Sequence, residues 1–229
     1  MGSSSGVGNA LINHFLKQGW EVYAGSSNPD KIRTQPNLKV IPLNLKNIIS
    51  IEAICAILDA KVQDMLDAVV CVSGVSVGGD FTKFTLEEWQ ESMNINLLGP
   101  TLIARYFIAQ AQKNSHPLSI VFTSSLSAFK GANKPQYAAS KAALSGISSS
   151  VARKFGTDKI RSNVVVPGVI ETNLVADWDE TKKHSITKTI PLGRFASVQE
   201  VVNILYFLAS DESAYISGQT IHISGGDFM

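Results

Sequence analysis

Tyr137 and Lys141 stand four residues apart in Tyr137-Ala138-Ala139-Ser140-Lys141. On a helix, that spacing places both side chains on one face. An ammonium beside a phenol favours the phenolate and lowers a pKa that starts at about 10. Such a tyrosine can exchange a proton with a carbonyl or alcohol oxygen near neutral pH. An ordinary surface pair has the same spelling. Just upstream, Ser124-Ser125 end the apolar run Leu118–Thr123. A hydroxyl there can hydrogen-bond a reacting oxygen, or satisfy backbone at a strand exit. Pro167-Gly168-Val169-Ile170-Glu171-Thr172 follows the run Arg161–Val166. Proline there sets a rigid turn, and glycine permits close backbone approach.

A second chemistry sits at Gly2-Ser3-Ser4-Ser5-Gly6-Val7-Gly8. Closely spaced glycines let a backbone turn tightly against a pyrophosphate, and the free N–H groups of a following helix favour its charge. Leu11, Ile12, Phe15 and Leu16 give that helix an apolar face. The opening Met-Gly-Ser-Ser also matches an added tag.

The elements that must position these residues alternate regularly. Strands are predicted at 20–25, 38–43, 68–72, 118–123, 161–166 and 220–223. Ile51, Ile54, Cys55, Leu58 and Val62 repeat with helical period. Thr85 with Glu88 forms a capping box that opens a long helix running to about Lys113. Further helices are expected over 137–155 and, from the box Ser197/Glu200, over 197–209. Strand–helix alternation implies parallel strands joined by crossovers, here one doubly wound, Rossmann-like α/β domain spanning 1–229. Ligands of such folds bind at the carboxyl ends of the strands, where the motifs fall.

Composition narrows the function. The chain has 229 residues, 45% of them hydrophobic and 17% charged, with a net charge of +1. That excludes a disordered chain, and the near-neutral balance argues against a nucleic-acid partner. Cys55 and Cys71 form no C-x-x-C pair, so no metal is expected and both read as buried thiols. No apolar run is long enough for a membrane span, and no secretory signal opens the chain. A cytoplasmic protein is the expectation.

With its motifs assembled, the chain resembles the short-chain dehydrogenase/reductase family, of the classical type, over essentially its whole length. The glycine loop, Asn96-Leu97-Leu98-Gly99, the serine, Tyr-x-x-x-Lys and Pro-Gly-x-Ile-x-Thr occur in the family's order. Pro191–Phe195, Phe207–Asp211, Ser217–Thr220 and Gly225-Gly226 look like the closing region of β-ketoacyl-ACP-reductase-like members. The resemblance implies an NAD(P)-dependent oxidoreductase that moves a hydride between nicotinamide and a small carbonyl or secondary alcohol. Tyr137 would be the general acid/base, and Lys141 would lower its pKa and hold the nicotinamide ribose. Asn96 would support a proton relay through a kinked helix, and a serine would position the carbonyl. Strand register selects Ser125 for that role, whereas the usual spacing back from Tyr137 selects Ser124.

For the dinucleotide, the resemblance implies Gly2, Ser4, Ser5, Gly6, Val7 and Gly8 at the pyrophosphate. Ser26, Ser27, Asn44, Leu45, Ser73 and Gly74 would lie along the adenosine and ribose. Pro167, Gly168, Val169, Ile170 and Thr172 would face the nicotinamide. The stretch 173–189, with Trp178, looks like a mobile substrate lid, with a plain surface loop as the alternative. A homo-oligomer, dimer or tetramer, is expected.

The departures matter as much. Ser26-Ser27-Asn28 carries no carboxylate where an acid would bind the NAD ribose and repel a 2′-phosphate. Lys31 and Arg33 lie close, so NADP is favoured, with NAD as the alternative. Asn44 replaces the family's adenine-contacting Asp. Cys71-Val72-Ser73-Gly74 replaces Asn-Asn-Ala-Gly. Finally, the strand that precedes the glycine loop in this fold is missing from the sequence, so a truncated or misassigned start is expected. A dinucleotide-binding regulator without catalysis, and an epimerase or dehydratase of the extended branch, are the competing functions.

Overall fold

The computed structural model describes residues 2, 6–46 and 51–228. Six strands form: β1 (Val22–Ser26), β2 (Leu38–Pro42), β3 (Ala68–Cys71), β4 (Leu118–Thr123), β5 (Ile160–Pro167) and β6 (Thr220–Ile223). Between them run α1 (Gly6–Lys17), α2 (Ile51–Lys61), α3 (Leu86–Met93), α4 (Gly99–Asn114), α5 (Ser127–Lys130) and α6 (Pro135–Phe155). Then come α7 (Asn173–Ala176), α8 (Glu180–Thr187) and α9 (Val198–Ala209). Every strand pair is parallel.

Alternation along the strands builds two cores. Ile120 and Phe122 of β4, with Val164 and Val166 of β5, pack into one core beside residues of α2, α4 and α6. Their neighbours Val121 and Val165 face the other core, with Leu11 and Phe15 of α1 and Val201 and Leu205 of α9. All six strand residues are 0% exposed, as a sheet covered on both faces requires. Each such side chain contributes about 1.5–3 kcal/mol of burial. The register places Cys71 opposite Phe122, and Phe122 opposite Val164. The carboxyl ends of β3, β4 and β5 therefore lie level along one edge, which carries Ser73-Gly74, Ser124-Ser125 and Gly168.

Among the described residues the sheet is interrupted. β1 pairs with β2 alone, and the other four strands run in the order β3-β4-β5-β6. An apolar cleft lined by Leu11, Ile12, Phe15, Val22, Ala24 and Val72 separates the two sheets. Met1, which precedes the glycine loop, lies outside the described residues.

The long helix predicted from Thr85 is broken into three pieces. Thr85 Oγ1 accepts from the Glu88 N–H at 3.2 Å, and Glu88 returns a bond to the Thr85 N–H at 2.9 Å. After α3 the chain widens at Asn94–Leu98, where the Gly99 N–H reaches back five residues to the Asn94 carbonyl. This π-turn inserts one residue and redirects Asn96 inward. α4 follows at once.

The second predicted box is also formed at α9. Ser197 Oγ accepts from the Glu200 N–H at 3.2 Å, while Glu200 accepts from the Ser197 N–H at 2.7 Å. Arg194 clasps the same carboxylate at 2.7 and 2.9 Å and helps hold its pKa down at about 2. Ser197→Ala should cost about 1 kcal/mol, which lowers Tm by ~2–4 °C in a chain of this size. A thermal melt reads this directly; an unchanged Tm would mean the cap contributes nothing.

Candidate active site

Tyr137 and Lys141 lie on the first turns of α6, whose start at Pro135 needs no N–H. Both point to the level edge of the sheet, in different surroundings. Lys141 is buried, and its Nζ donates to the Ser73 carbonyl at 2.9 Å and the Thr123 carbonyl at 2.8 Å. No carboxylate partners it among its hydrogen bonds, so burial pushes its pKa down to about 8. An ammonium has three donors, so one N–H remains after these two carbonyls.

The Tyr137 phenol is half-buried, with the Ser125 side chain close enough to bear on its charge. Burial raises its pKa, and Ser125 offsets this in part. The expected lowering by Lys141 is not what this geometry produces. The ammonium is turned into carbonyls of β3 and β4, and desolvation of the phenol dominates.

The two serines separate cleanly. Ser124 is buried, and its Oγ donates to the Lys141 carbonyl at 2.8 Å. Ser125 faces Tyr137, and its Oγ accepts from the Ser127 N–H at 3.2 Å. Neighbouring residues leaving a strand point to opposite sides.

Asn96 is fully buried in the π-turn. Its Oδ1 accepts from the Val75 N–H at 2.8 Å, and its Nδ2 donates to the Val75 carbonyl at 2.9 Å. The second amide hydrogen goes to Ser140 Oγ at 3.0 Å, and Ser140 in turn donates to the Tyr137 carbonyl at 2.8 Å. The Asn96 side chain thus locks the turn after β3 to the helix that bears Tyr137. Ser140 and Val75 were not singled out from the sequence, although Ser140 lies inside the Tyr-x-x-x-Lys motif. The turn after β3 is tied further by Lys134 to the Ser76 carbonyl at 2.7 Å and by Gln136 to the Val77 carbonyl at 2.8 Å. Cys71 lies buried beneath, and burial pushes its thiol up.

Beside Lys141 opens a cavity of about 260 Å³ whose lining includes Gly2, Ser26, Ser27, Asn44, Leu45, Ser73 and Gly74. A Cβ on Gly74 would stand 3.1 Å from Lys141 Nζ and 3.8 Å from Asn96 Oδ1, so only glycine leaves that approach uncrowded. Gly2 takes φ +78°, and a Cβ there would meet the Ser73 nitrogen at 2.7 Å. Gly6, Val7 and Gly8 form the first turn of α1, which carries no acidic residue. A Cβ on Gly6 would lie 3.8 Å from the Thr172 methyl, so the glycine loop and the Pro-Gly-x-Ile-x-Thr segment meet. Ser4 and Ser5 lie outside the described residues. Pro167 accepts from the Leu126 N–H at 2.9 Å, which joins the nicotinamide-side turn to the serine turn. Val169 and Ile170 are held by Ala196, through a 3.0 Å bond and a parallel bridge respectively.

Some expected residues are otherwise engaged. Asn44 Oδ1 accepts from the Lys46 N–H at 3.0 Å, which leaves one lone pair for an adenine amine. Asn28 donates to Ser27 Oγ at 3.2 Å. The 173–189 stretch is not a plain loop, because it contains α7 and α8; Lys182 Nζ sits 4.0 Å over the Trp178 ring. No group of three or more potential metal-ligating side chains occurs among the described residues. No described helix is long and apolar enough to cross a membrane.

The donor set fits a dinucleotide. An acid-free helix start favours a pyrophosphate. The neighbouring cavity has polar rims at Ser26, Ser27 and Asn44, and the buried Lys141 ammonium lies behind its lining residues Ser73 and Gly74. A doubly wound α/β sheet with these groups at its carboxyl edge defines a dinucleotide-dependent oxidoreductase.

Residues 2–227 match the family model described as enoyl-(acyl carrier protein) reductase, and the chain belongs to this family of short-chain dehydrogenases/reductases. It is 30% identical to 3-oxoacyl-[acyl-carrier-protein] reductase FabG of Rickettsia bellii, over 100% of this chain and 95% of the relative. The same figures hold for FabG of Escherichia coli strain K12. The structure of 4-hydroxyisoleucine dehydrogenase complexed with NADH superposes with a TM-score of 0.92 at 26% identity, covering 98% of this chain and 95% of that one. The chain is thus an NAD(P)-dependent short-chain oxidoreductase.

Proposed function

We propose that the protein reduces a small carbonyl compound to a secondary alcohol, and catalyses the reverse oxidation, with Tyr137 as proton donor and acceptor. The observation that carries this reading is the placement of the Ser125 side chain against the Tyr137 phenol, with Lys141 held behind Ser73 and Gly74 of the neighbouring cavity. When bound, the nicotinamide supplies or takes up the hydride. Ser125 holds the carbonyl oxygen against the Tyr137 hydroxyl, which donates its proton as charge develops there. Lys141 directs its remaining N–H toward the ribose. Ser124 holds the helix carbonyl of Lys141. Asn96 holds the turn that frames the site.

NADP is favoured over NAD. No carboxylate stands in Ser26-Ser27-Asn28, and Lys31 and Arg33 line a cleft against Asn9 and Asn13 of α1. The relatives named 3-oxoacyl-[acyl-carrier-protein] reductase make a β-ketoacyl thioester the first substrate to try. The family also suggests a cytoplasmic homo-oligomer, a dimer or tetramer, which sedimentation equilibrium reads. The test is NADPH or NADH oxidation, followed optically with β-ketoacyl thioesters and a panel of simple ketones. Turnover with NADPH preferred supports the reading. Tight dinucleotide binding with no turnover on any carbonyl would instead identify a regulator.

A further inference from the structure

The segment that follows β6 touches three separate frames of the site. Beside the 2.9 Å bond from the Gly168 N–H to the Ile223 carbonyl at the end of β6, Ser224 approaches so closely that a Cβ on Gly168 would lie 3.3 Å from its Cα, under the turn expected to face the nicotinamide. The Gly225 carbonyl accepts from the Leu192 N–H at 3.0 Å, where the chain leaves the 173–189 stretch. Gly225 and Gly226 take φ +63° and +87°, with Ile190 and Pro191 so close that a Cβ at either would fall within 2.8–2.9 Å. Asp227 then meets Lys130 of α5 at 2.6 Å. Phe228 stacks on His222 at 4.9 Å, and Phe129 of α5 lies at 4.7 Å from His222 and 5.4 Å from Phe228. α5 begins two residues after Ser125, and its Ser127 N–H donates to Ser125 Oγ.

We propose that Ser224–Phe228 is a strap that positions the serine turn against the nicotinamide-side turn and the exit of the 173–189 stretch, with Asp227 and Phe228 as positioning residues. The physical reason is leverage. α5 has four residues and cannot hold its own orientation, because so short a helix lacks internal cooperativity. α5 packs against α6, and the strap adds the Lys130–Asp227 ion pair and the ring contacts of Phe129; Asp227 is largely covered, with 12% of its side chain exposed. A change of α5 orientation moves Ser125 relative to Tyr137, and reactive geometry is sensitive to such displacements. A small cavity bounded by Gly168, Leu192, Ser224 and Gly225 lies where the strap meets the turn after β5 and the exit of the 173–189 stretch.

The inference rests on the carbonyl-reductase reading for its kinetic effect but not for its structural one. The experiment therefore measures both in the full chain. Asp227→Asn and Lys130→Gln should each raise KM for the carbonyl and lower kcat by roughly fivefold, with NADPH affinity within twofold of wild type, the size expected for a partly covered ion pair. The reversed pair, Asp227→Lys with Lys130→Asp, should restore most of the loss. Hydrogen exchange at Ser127–Lys130 and Leu192 should accelerate in the single variants by a similar factor, whether or not any carbonyl is turned over. Unchanged exchange at these amides overturns the strap. Faster exchange with no turnover in any variant or wild type leaves the strap standing and removes the reductase reading. A uniform loss of Tm and NADPH binding, without rescue by the reversed pair, reduces the contact to general stability and also overturns it.

Discussion

Tyr137→Phe should fold, bind the dinucleotide with wild-type affinity and lose ~10²–10⁴-fold in kcat, the usual contribution of a positioned proton donor. The substitution removes one oxygen. The ring stays in its half-buried place on α6, and Ser125 keeps its bond from the Ser127 N–H. Losing one half-buried hydroxyl costs about 1 kcal/mol of stability at most, too little to unfold a chain with two apolar cores. KM should change little, because Ser125 still meets the carbonyl. The proton has no other donor in place: Lys141 Nζ is turned to the Ser73 and Thr123 carbonyls. Single-turnover rates separate the chemical step from product release. A Phe variant that matches wild type would remove Tyr137 from the mechanism, whereas a wild type without turnover would favour the regulator.

Lys141 gives the second large effect, and pH reveals it. Burial pushes its pKa down from 10.5 to about 8. Below about 8 it is an ammonium with an N–H for the ribose; above, it is a neutral amine that has lost a donor and its charge. Dinucleotide affinity and kcat/KM should therefore fall as pH rises through about 8, with the slope of a single proton. Lys141→Met should weaken dinucleotide binding by ~10–100-fold, the worth of a charge-assisted hydrogen bond, and abolish that pH dependence. Folding stability moves in the opposite direction. Between about 8 and 10.5 the unfolded chain holds a proton on Lys141 that the folded chain has released. The folded pKa is the lower one, so this residue's burial penalty is full below 8 and is relieved as pH rises across that window. Loss of activity with constant or rising Tm over that interval separates titration of Lys141 from denaturation. An affinity that stays flat from neutrality to pH 10 would mean that Lys141 does not hold the dinucleotide.

Much of the scaffold was legible because its causes are local. Alternating β-branched runs can bury both faces only as covered parallel strands, and all six predicted strands match to within two residues at each end. Both capping boxes form as their spelling predicts, since a hydroxyl and a carboxylate three residues apart meet in any helix start. The π-turn at 94–98 leaves no mark in the periodicity, which reads as continuous helix; only the family resemblance implied a kink at Asn96. One inserted residue leaves no period to detect, yet it turns Asn96 into the core.

Residue types, order and spacing by themselves determined the fold class, the glycine-rich start of α1 and the pairing of Tyr137 with Lys141 on one helix. Each of these follows from periodicity or from neighbours a few positions apart. Only the tertiary structure decided how the groups are used. It set Ser125 against Tyr137 and Ser124 beneath Lys141, because which of two adjacent side chains faces a site depends on the exit direction of β4. It reversed the expected shift of the Tyr137 phenol, because desolvation sums over atoms from distant segments while Lys141 was drawn to β3 and β4. It also brought Asp227 to Lys130 across 97 positions of chain, a contact that no local pattern encodes.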